Sequence, residues 1–166
     1  IRDNPPLIFH PQKLKSKEFA KNIQNAFAMY RESLPHERRV LLDRYHMMDI
    51  ATKVVGVGSV GTYCAILLMM AEHNDPLFLQ VKQARSSVLE PYTKKNAYKN
   101  QGHRVVTGQR LMQSASDIFL GWTAGREGRH FYIRQLRDTK IKPLVELFDA
   151  DFMAEYAQVC GWALAR

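Results

Sequence analysis

The segment KVVGVGSVG (53–61), followed by TYCAILLMM (62–70) and, beyond His73-Asn74-Asp75-Pro76, by LFLQVKQ (77–83), decides how this chain is read. All three pieces are rich in β-branched and apolar residues, and the polar HNDP sequence is turn-forming. They predict three strands joined as a meander. Gly56-Val57-Gly58-Ser59-Val60-Gly61 also matches G-x-G-x-x-G directly after a strand, where missing side chains let backbone N–H groups approach phosphates. Three readings of these glycines compete. In a dinucleotide-binding βαβ unit, 59–74 is a helix with its N-terminus on a pyrophosphate; the second strand then ends in Lys82 and Gln83 rather than the acidic residue that holds a ribose. In a kinase-like lobe the glycines form a hairpin turn over a triphosphate, and a lysine on the third strand reaches the phosphates; Lys82 stands there. In the third, the turn merely tightens a sheet and Lys82 extends along its edge.

Outward from this stretch the periodicity becomes helical. After a Pro-broken lead, Ser16 is placed to cap a helix carrying Phe19, Ile23, Phe27, Tyr30 and Leu34 on one side. Pro35 suits the first turn of a second helix with Leu41, Leu42, Tyr45 and Met48 buried. Downstream, the polar stretch TKKNAYKNQG leads to a helix over 103–116 with Gly108 as its weak point. Strands over 118–123 and 130–135 follow, joined by a hairpin turn at 124–128. Pro143 opens a short helical turn, and Asp149 or Asp151 caps a last helix burying Phe152, Tyr156, Val159, Cys160 and Leu164. The expected fold is α+β: an N-terminal helical hairpin, an antiparallel sheet of about five strands with one intervening helix, and a C-terminal helix. The expected divisions are a helical segment over 1–49, a glycine-loop sheet module over 50–140, and a final helix over 141–166.

Composition narrows the function classes. At 166 residues, 46% hydrophobic and 24% charged, the chain has the mix of one globular domain and not of a disordered, collagenous or coiled-coil protein. Its longest apolar run, Ala65 to Ala71, falls far short of the ~20 residues a spanning helix needs. IRDNPPLIF has no signal-peptide character, so a cytoplasmic protein is expected. Cys64 and Cys160 read as inert core thiols. Because the chain opens on Ile1 and stops at Arg166 within an amphipathic pattern, a fragment of a longer protein is expected.

The net charge is +8, and most of the excess falls between Lys82 and Arg110, where seven basic residues face Glu90 alone. Such a zone suits nucleotide phosphates or an acidic neighbouring part of the parent chain. Nucleic acid is not expected, since Tyr92 and Tyr98 among the lysines belong to no recognised module. The six histidines show no metal-ligand spacing, and no serine has an evident base.

The stretches KVVGVGSVGTYC, DPLFLQVKQARSSVLEPY, VVTGQRLMQSASDIFLGW, FYIRQLRD and YAQVCGWALAR resemble the bacterial family called domain of unknown function 2252, from about Pro5 to Arg166. The resemblance implies a parent chain that is longer, with G-D-x-H-x-x-N and D-F-D segments upstream like those of aminoglycoside phosphotransferases, and a His- and Asp-containing stretch downstream. None of these is in this sequence. It therefore implies a lobe like the protein-kinase N-lobe, in permuted order, from a phosphotransferase using ATP with Mg²⁺. Gly56, Gly58, Ser59 and Gly61 resemble the phosphate loop, and Lys82 the phosphate-contacting lysine. Glu90, Gln109 and Gln113 are the candidates for the lysine's partner, although Pro91 keeps Glu90 out of helical backbone. Gln135, Leu136 and Arg137 lie where a hinge would meet adenine. The implied partner is the missing N-terminal part of the parent, and the fragment alone is expected to be inactive. The alternatives are a non-catalytic interaction module of the same fold and the dinucleotide-binding unit.

Overall fold

Alternating apolar residues on six strands build one antiparallel sheet, which the computed structural model describes together with four helices over residues 1–11, 16–54, 56, 61–94, 96–136 and 143–165. In chain order the elements are β1 (Ile8–Phe9), α1 (Lys17–Glu32), α2 (His36–Leu42), β2 (His46–Lys53), β3 (Cys64–Met70), β4 (Pro76–Ala84), α3 (Gln101–Met112), β5 (Gly121–Ala124), β6 (His130–Gln135) and α4 (Ala150–Ala165). The strands lie in the order β1-β2-β3-β4-β6-β5. The α+β class, the meander and the helix between the third long strand and the last hairpin are as expected. The sixth strand is β1, which pairs Ile8 with Lys53 and Phe9 with Thr52 where the sequence suggested only an extended lead.

Several boundaries move. The second helix stops at Leu42, so Tyr45 and Met48 are not on it; β2 runs from His46 to Lys53, and of the expected strand over 53–61, residues 55 and 57–60 lie outside the described residues. A register shift between Met47 and Asp49 inserts an extra residue, and that irregularity breaks the period-two pattern by which a strand is recognised. Helix α3 begins at Gln101, earlier than expected, because Asn100 caps it: its Oδ1 accepts from Gly102 N at 2.7 Å and His103 N at 3.2 Å. Gln113 is already extended, so the helix does not reach residue 116. Strand β5 starts only at Gly121, since the Asp117 carboxylate holds a turn before it, accepting from Phe119 N and Gln135 N at 2.8 Å each. On α4, Asp149 caps as expected, yet Phe152, Tyr156, Val159 and Leu164 are exposed rather than buried, and Cys160 is half-buried outside the core.

One face of the sheet carries the core. Leu67 and Met69 of β3, Leu77 and Leu79 of β4 and Ile133 of β6 pack under Tyr30, Leu34 and Leu42 from the two N-terminal helices. Helix α1 forms as its pattern predicts, with Ser16 Oγ accepting from Phe19 N at 3.1 Å. It is joined to β5 and to the turn before it by hydrogen bonds: Tyr30 Oη donates to the Phe119 carbonyl at 2.7 Å, and Thr123 Oγ1 of β5 donates to the Ala26 carbonyl at 2.6 Å. Ser33 Oγ donates to the Tyr30 carbonyl and accepts from Trp122 N. The approach is so close that a Cβ on Gly121 would sit 2.6 Å from Ser33 Oγ and 2.8 Å from the Tyr30 ring. The helical segment is thus the lid of the sheet's own core.

At the β1 edge, His10 Nδ1 lies 2.6 Å from Asp3 and Nε2 lies 3.0 Å from Asp49. With a carboxylate at each ring nitrogen, both are satisfied only as donors, in the imidazolium form. The hydrogen bond to Asp3 raises the His10 pKa most, desolvation opposes it, and Asp49 adds to the rise. A folded pKa above the unfolded one means that this contribution is complete below the unfolded value near 6.5 and is lost as pH rises through the folded value. Thermal unfolding is expected to show lower stability at pH 8.5 than at pH 6, and His10→Gln is expected to flatten that difference.

Candidate functional site

The period of two that sends Leu77, Leu79 and Val81 into the core places Phe78, Gln80 and Lys82 on the opposite face of β4. Lys82 stands directly opposite Cys64 of β3 and Tyr132 of β6, and Tyr132 stands opposite Trp122 of β5. Lys53, one residue beyond the Thr52–Ala65 pair, reaches the same rung from β2. The next rung holds Ile66, Gln80 and Arg134. Helix α3 flanks this face, where His103 stacks on Trp122 with ring centroids 5.0 Å apart and meets Tyr98 edge-on. Among the described residues the face therefore brings together Lys53, Lys82 and Arg134 with the Cys64 thiol and the rings of Tyr132 and Trp122.

The glycine loop joins β2 to β3, so its two ends flank this face. Gly56 follows β2 with open space where a side chain would be, and Gly61 closes the loop in the left-handed region at φ +74°. A left-handed backbone favours glycine there. Gly58 and Ser59 lie outside the described residues. The closing arm is tied to the end of β4 just after Lys82, at Gln83 and at Arg85 beyond the strand. Gln83 N donates to the Tyr63 carbonyl at 2.9 Å, Gln83 Oε1 accepts from Tyr63 N at 3.0 Å, and the Arg85 guanidinium donates to the Gly61 carbonyl. Loop and lysine are held together by the strand that carries the lysine.

The remaining sequence candidates disperse. Glu90 sits in a 3-10 turn and accepts from Asn96 Nδ2 at 2.9 Å. Gln109 is half-buried on the last turn of α3, and Gln113 is exposed beyond its end. Gln135 N donates to Asp117 and Leu136 N donates to the Phe78 carbonyl at 2.8 Å, so both N–H groups of the hinge candidates already have acceptors. Arg137 lies outside the described residues. The basic run does not form one patch: Arg104 donates to the Arg85 carbonyl and Arg110 to the Leu120 carbonyl. These guanidinium groups satisfy chain carbonyls, while Lys94 and Lys99 are exposed.

Sequence reasoning missed Lys53, Cys64 and Arg134. A signal for Cys64 was available in the strand period counted along 64–70, but which cations stand beside it depends on register. Cys64 is buried, and burial pushes its pKa up against the opposing fields of Lys82, Lys53 and Arg134 and the hydrogen bond from Gln80. Burial likewise raises the Tyr132 pKa. The thiol is therefore kept protonated in the middle of a cationic face.

A separate cavity of about 320 Å³ lies under α1 on the core face, lined by Phe19, Ile23, Phe27, Leu67 and Phe131 among others. It is on the side of the sheet away from Lys82. Among the described residues, no group of three or more His, Cys, Asp or Glu gathers to hold a metal ion, and no helix is long and apolar enough to cross a membrane.

The profile of a family described as "Uncharacterized protein conserved in bacteria (DUF2252)" matches residues 1–166. Neither a curated protein nor a solved structure matches the chain.

Proposed function

We propose, for a chain that belongs to the bacterial family DUF2252, that its sheet is the phosphate-binding lobe of a kinase-like phosphotransferase acting on a nucleoside triphosphate. The observation that carries this reading is the attachment of the glycine loop's closing arm at Gln83 of β4 and at Arg85 just past it, following Lys82. A glycine-rich loop and a strand-borne ammonium on one sheet face are the parts that neutralise a triphosphate in kinase-like lobes. The antiparallel course of β3 removes the dinucleotide alternative, because 64–70 is a strand paired on both sides, where that reading needs a helix over 59–74.

Within phosphoryl transfer this chain supplies charge neutralisation and positioning. Mg²⁺ would arrive with the nucleotide, supplying charge compensation to the β- and γ-oxygens. Among the described residues none is assigned to orient an acceptor hydroxyl, so the reading is tested by binding rather than by turnover. The interaction-module reading draws on the hinge: with the Gln135 and Leu136 N–H groups satisfied internally, adenine meets fewer donors.

Isothermal titration with ATP and Mg²⁺ at low and moderate salt tests the proposal, since loosely held surface polyphosphate is screened away as salt rises. Saturable, adenine-selective binding is expected. Lys82→Ala is expected to weaken it about 10- to 100-fold, the loss of one charge-assisted hydrogen bond, with the melting temperature unchanged. Binding indifferent to Lys82 leaves the interaction module as the function.

A further inference from the structure

We propose that the cavity beneath the first half of α1 binds a neutral, apolar small molecule of two-ring size that presents a carbonyl oxygen to the Asn22 side chain. The inference goes beyond the phosphate-lobe reading and does not depend on it, because the cavity lies on the side of the sheet away from Lys82.

The first observation is an apolar stripe that is covered at one end. Phe19, Ile23, Phe27 and Tyr30 follow one another at helical spacing on α1, yet Tyr30 is 0% exposed while the three before it are half-buried. From Ala26 onward the helix is bonded down: the Ala26 carbonyl accepts from Thr123, Tyr30 donates to the Phe119 carbonyl, and Ser33 accepts from Trp122 N. Before Ala26 the tie is the exposed ion pair of Glu18 with Arg126, a weak one. The cavity of about 320 Å³ lies under this first half, with Ile50, Leu67, Val81 and Phe131 in its wall. A dry apolar cavity of ~150 Å³ takes up one benzene ring, so this volume suits two rings.

The second observation is an unmet donor. Asn22 lines the cavity, and its Nδ2 is buried without a hydrogen-bond partner. It lies one turn after Glu18 and one turn before Ala26, on the row of α1 that meets the β5–β6 hairpin. A buried amide N–H without an acceptor is costly, and a carbonyl oxygen placed against it removes that cost. One donor set in a hydrocarbon wall orients a ligand: carbonyl toward the hairpin, rings toward Ile50 and Val81.

The third is the charge at the mouth. The exposed residues that line the cavity at the hairpin tip are Arg126, Glu127 and Arg129. Each arginine is already paired, Arg126 with Glu18 and Arg129 with Glu127. An anionic ligand meets those carboxylates and must displace one to reach a guanidinium, whereas a neutral ligand enters without disturbing either pair.

The test titrates the whole chain with 2-acetylnaphthalene, naphthalene and 2-naphthoate and follows methyl resonances. Saturable binding of the ketone is expected, with the Ile23, Ile50 and Val81 methyl signals shifting together while Val88, 85% exposed, stays in place. Naphthalene is expected to bind about 2- to 10-fold more weakly, the worth of one hydrogen bond, and naphthoate more weakly than the ketone. Asn22→Ala is expected to abolish the ketone's advantage while naphthalene binds as before, a split that a merely structural role would not produce. Should that variant fail to fold, the ranking of the three probes and the methyl shifts in the unsubstituted protein decide. Equal affinity for ketone and naphthalene, tightest binding of naphthoate, shifts confined to other regions, or no saturable binding by any probe overturns the proposal. The two readings fail separately: absence of ATP binding leaves this site standing, and absence of ketone binding leaves the Lys82 face untouched.

Discussion

Gly102→Ala is expected to unfold this protein more readily than any conservative surface change, while Gly108→Ala, six residues along the same helix, is expected to stabilise it. A Cβ at Gly102 would lie 2.1 Å from the Phe131 carbonyl oxygen and 2.7 Å from its carbon. Both atoms belong to the backbone of β6, which is bonded to β4 on one side and β5 on the other, so no rotamer change relieves the clash. Helix α3 must rise off the sheet, taking with it the Asn100 cap and the Val106 contact. Overpacking of this severity stands at the upper end of its usual range, about 3 kcal/mol, and lowers the melting temperature of a chain this size by about 6–12 °C. At Gly108 nothing lies within 4 Å of the added methyl. There the gain in helix propensity, about 0.5–1 kcal/mol, is unopposed. Opposite signs in two thermal melts verify the packing of α3; a harmless Gly102→Ala would mean that the helix does not sit against β6.

Leu79→Ala is expected to cost about 2–5 kcal/mol, the range for emptying a closed core site. Leu79 has no exposed surface, lies on β4 with a bonded strand on each side, and packs with Leu67, Leu77 and Ile133 beneath α1 and α2. The surrounding strands are held by register on both sides, so the cavity relaxes poorly. Leu111→Ala on α3 is the matched control, because Leu111 is 80% exposed and its truncation should change stability by less than about 0.5 kcal/mol. Urea unfolding that moves the midpoint for Leu79→Ala at constant slope, and moves neither for Leu111→Ala, is the expected result. Equal costs at the two leucines would contradict the assignment of the core to this face.

These two substitutions also separate what is local from what is not. The Ser16 cap, the α1 stripe, the 124–128 hairpin and, to within two residues, the strands read at 62–70 and 77–83 were legible in the sequence, because each rests on residues a few positions apart. The misreadings share one cause. Tyr45 and Met48 follow Leu41 and Leu42 at helical spacing, yet the helix stops at Leu42, Tyr45 lies in the connection and Met48 on β2, at the register shift beside β3. The α4 stripe was assigned to the core by its period, yet a period says only that a side is apolar and not that anything covers it.

For the candidate site the division is sharper. By itself the sequence determined that a glycine turn precedes an apolar strand pair and that Lys82 is on the outward phase of its strand, since composition and period two are properties of a single segment. Only the tertiary structure decided that Lys53, Cys64, Lys82 and Arg134 share one face, that Gln83 and Arg85 hold the loop beside the lysine, and that Glu90 turns away to Asn96. Those are contacts between strands far apart in the chain. Their partners are chosen by sheet register, and register is set jointly by every pair along the ladder, so no one segment contains it.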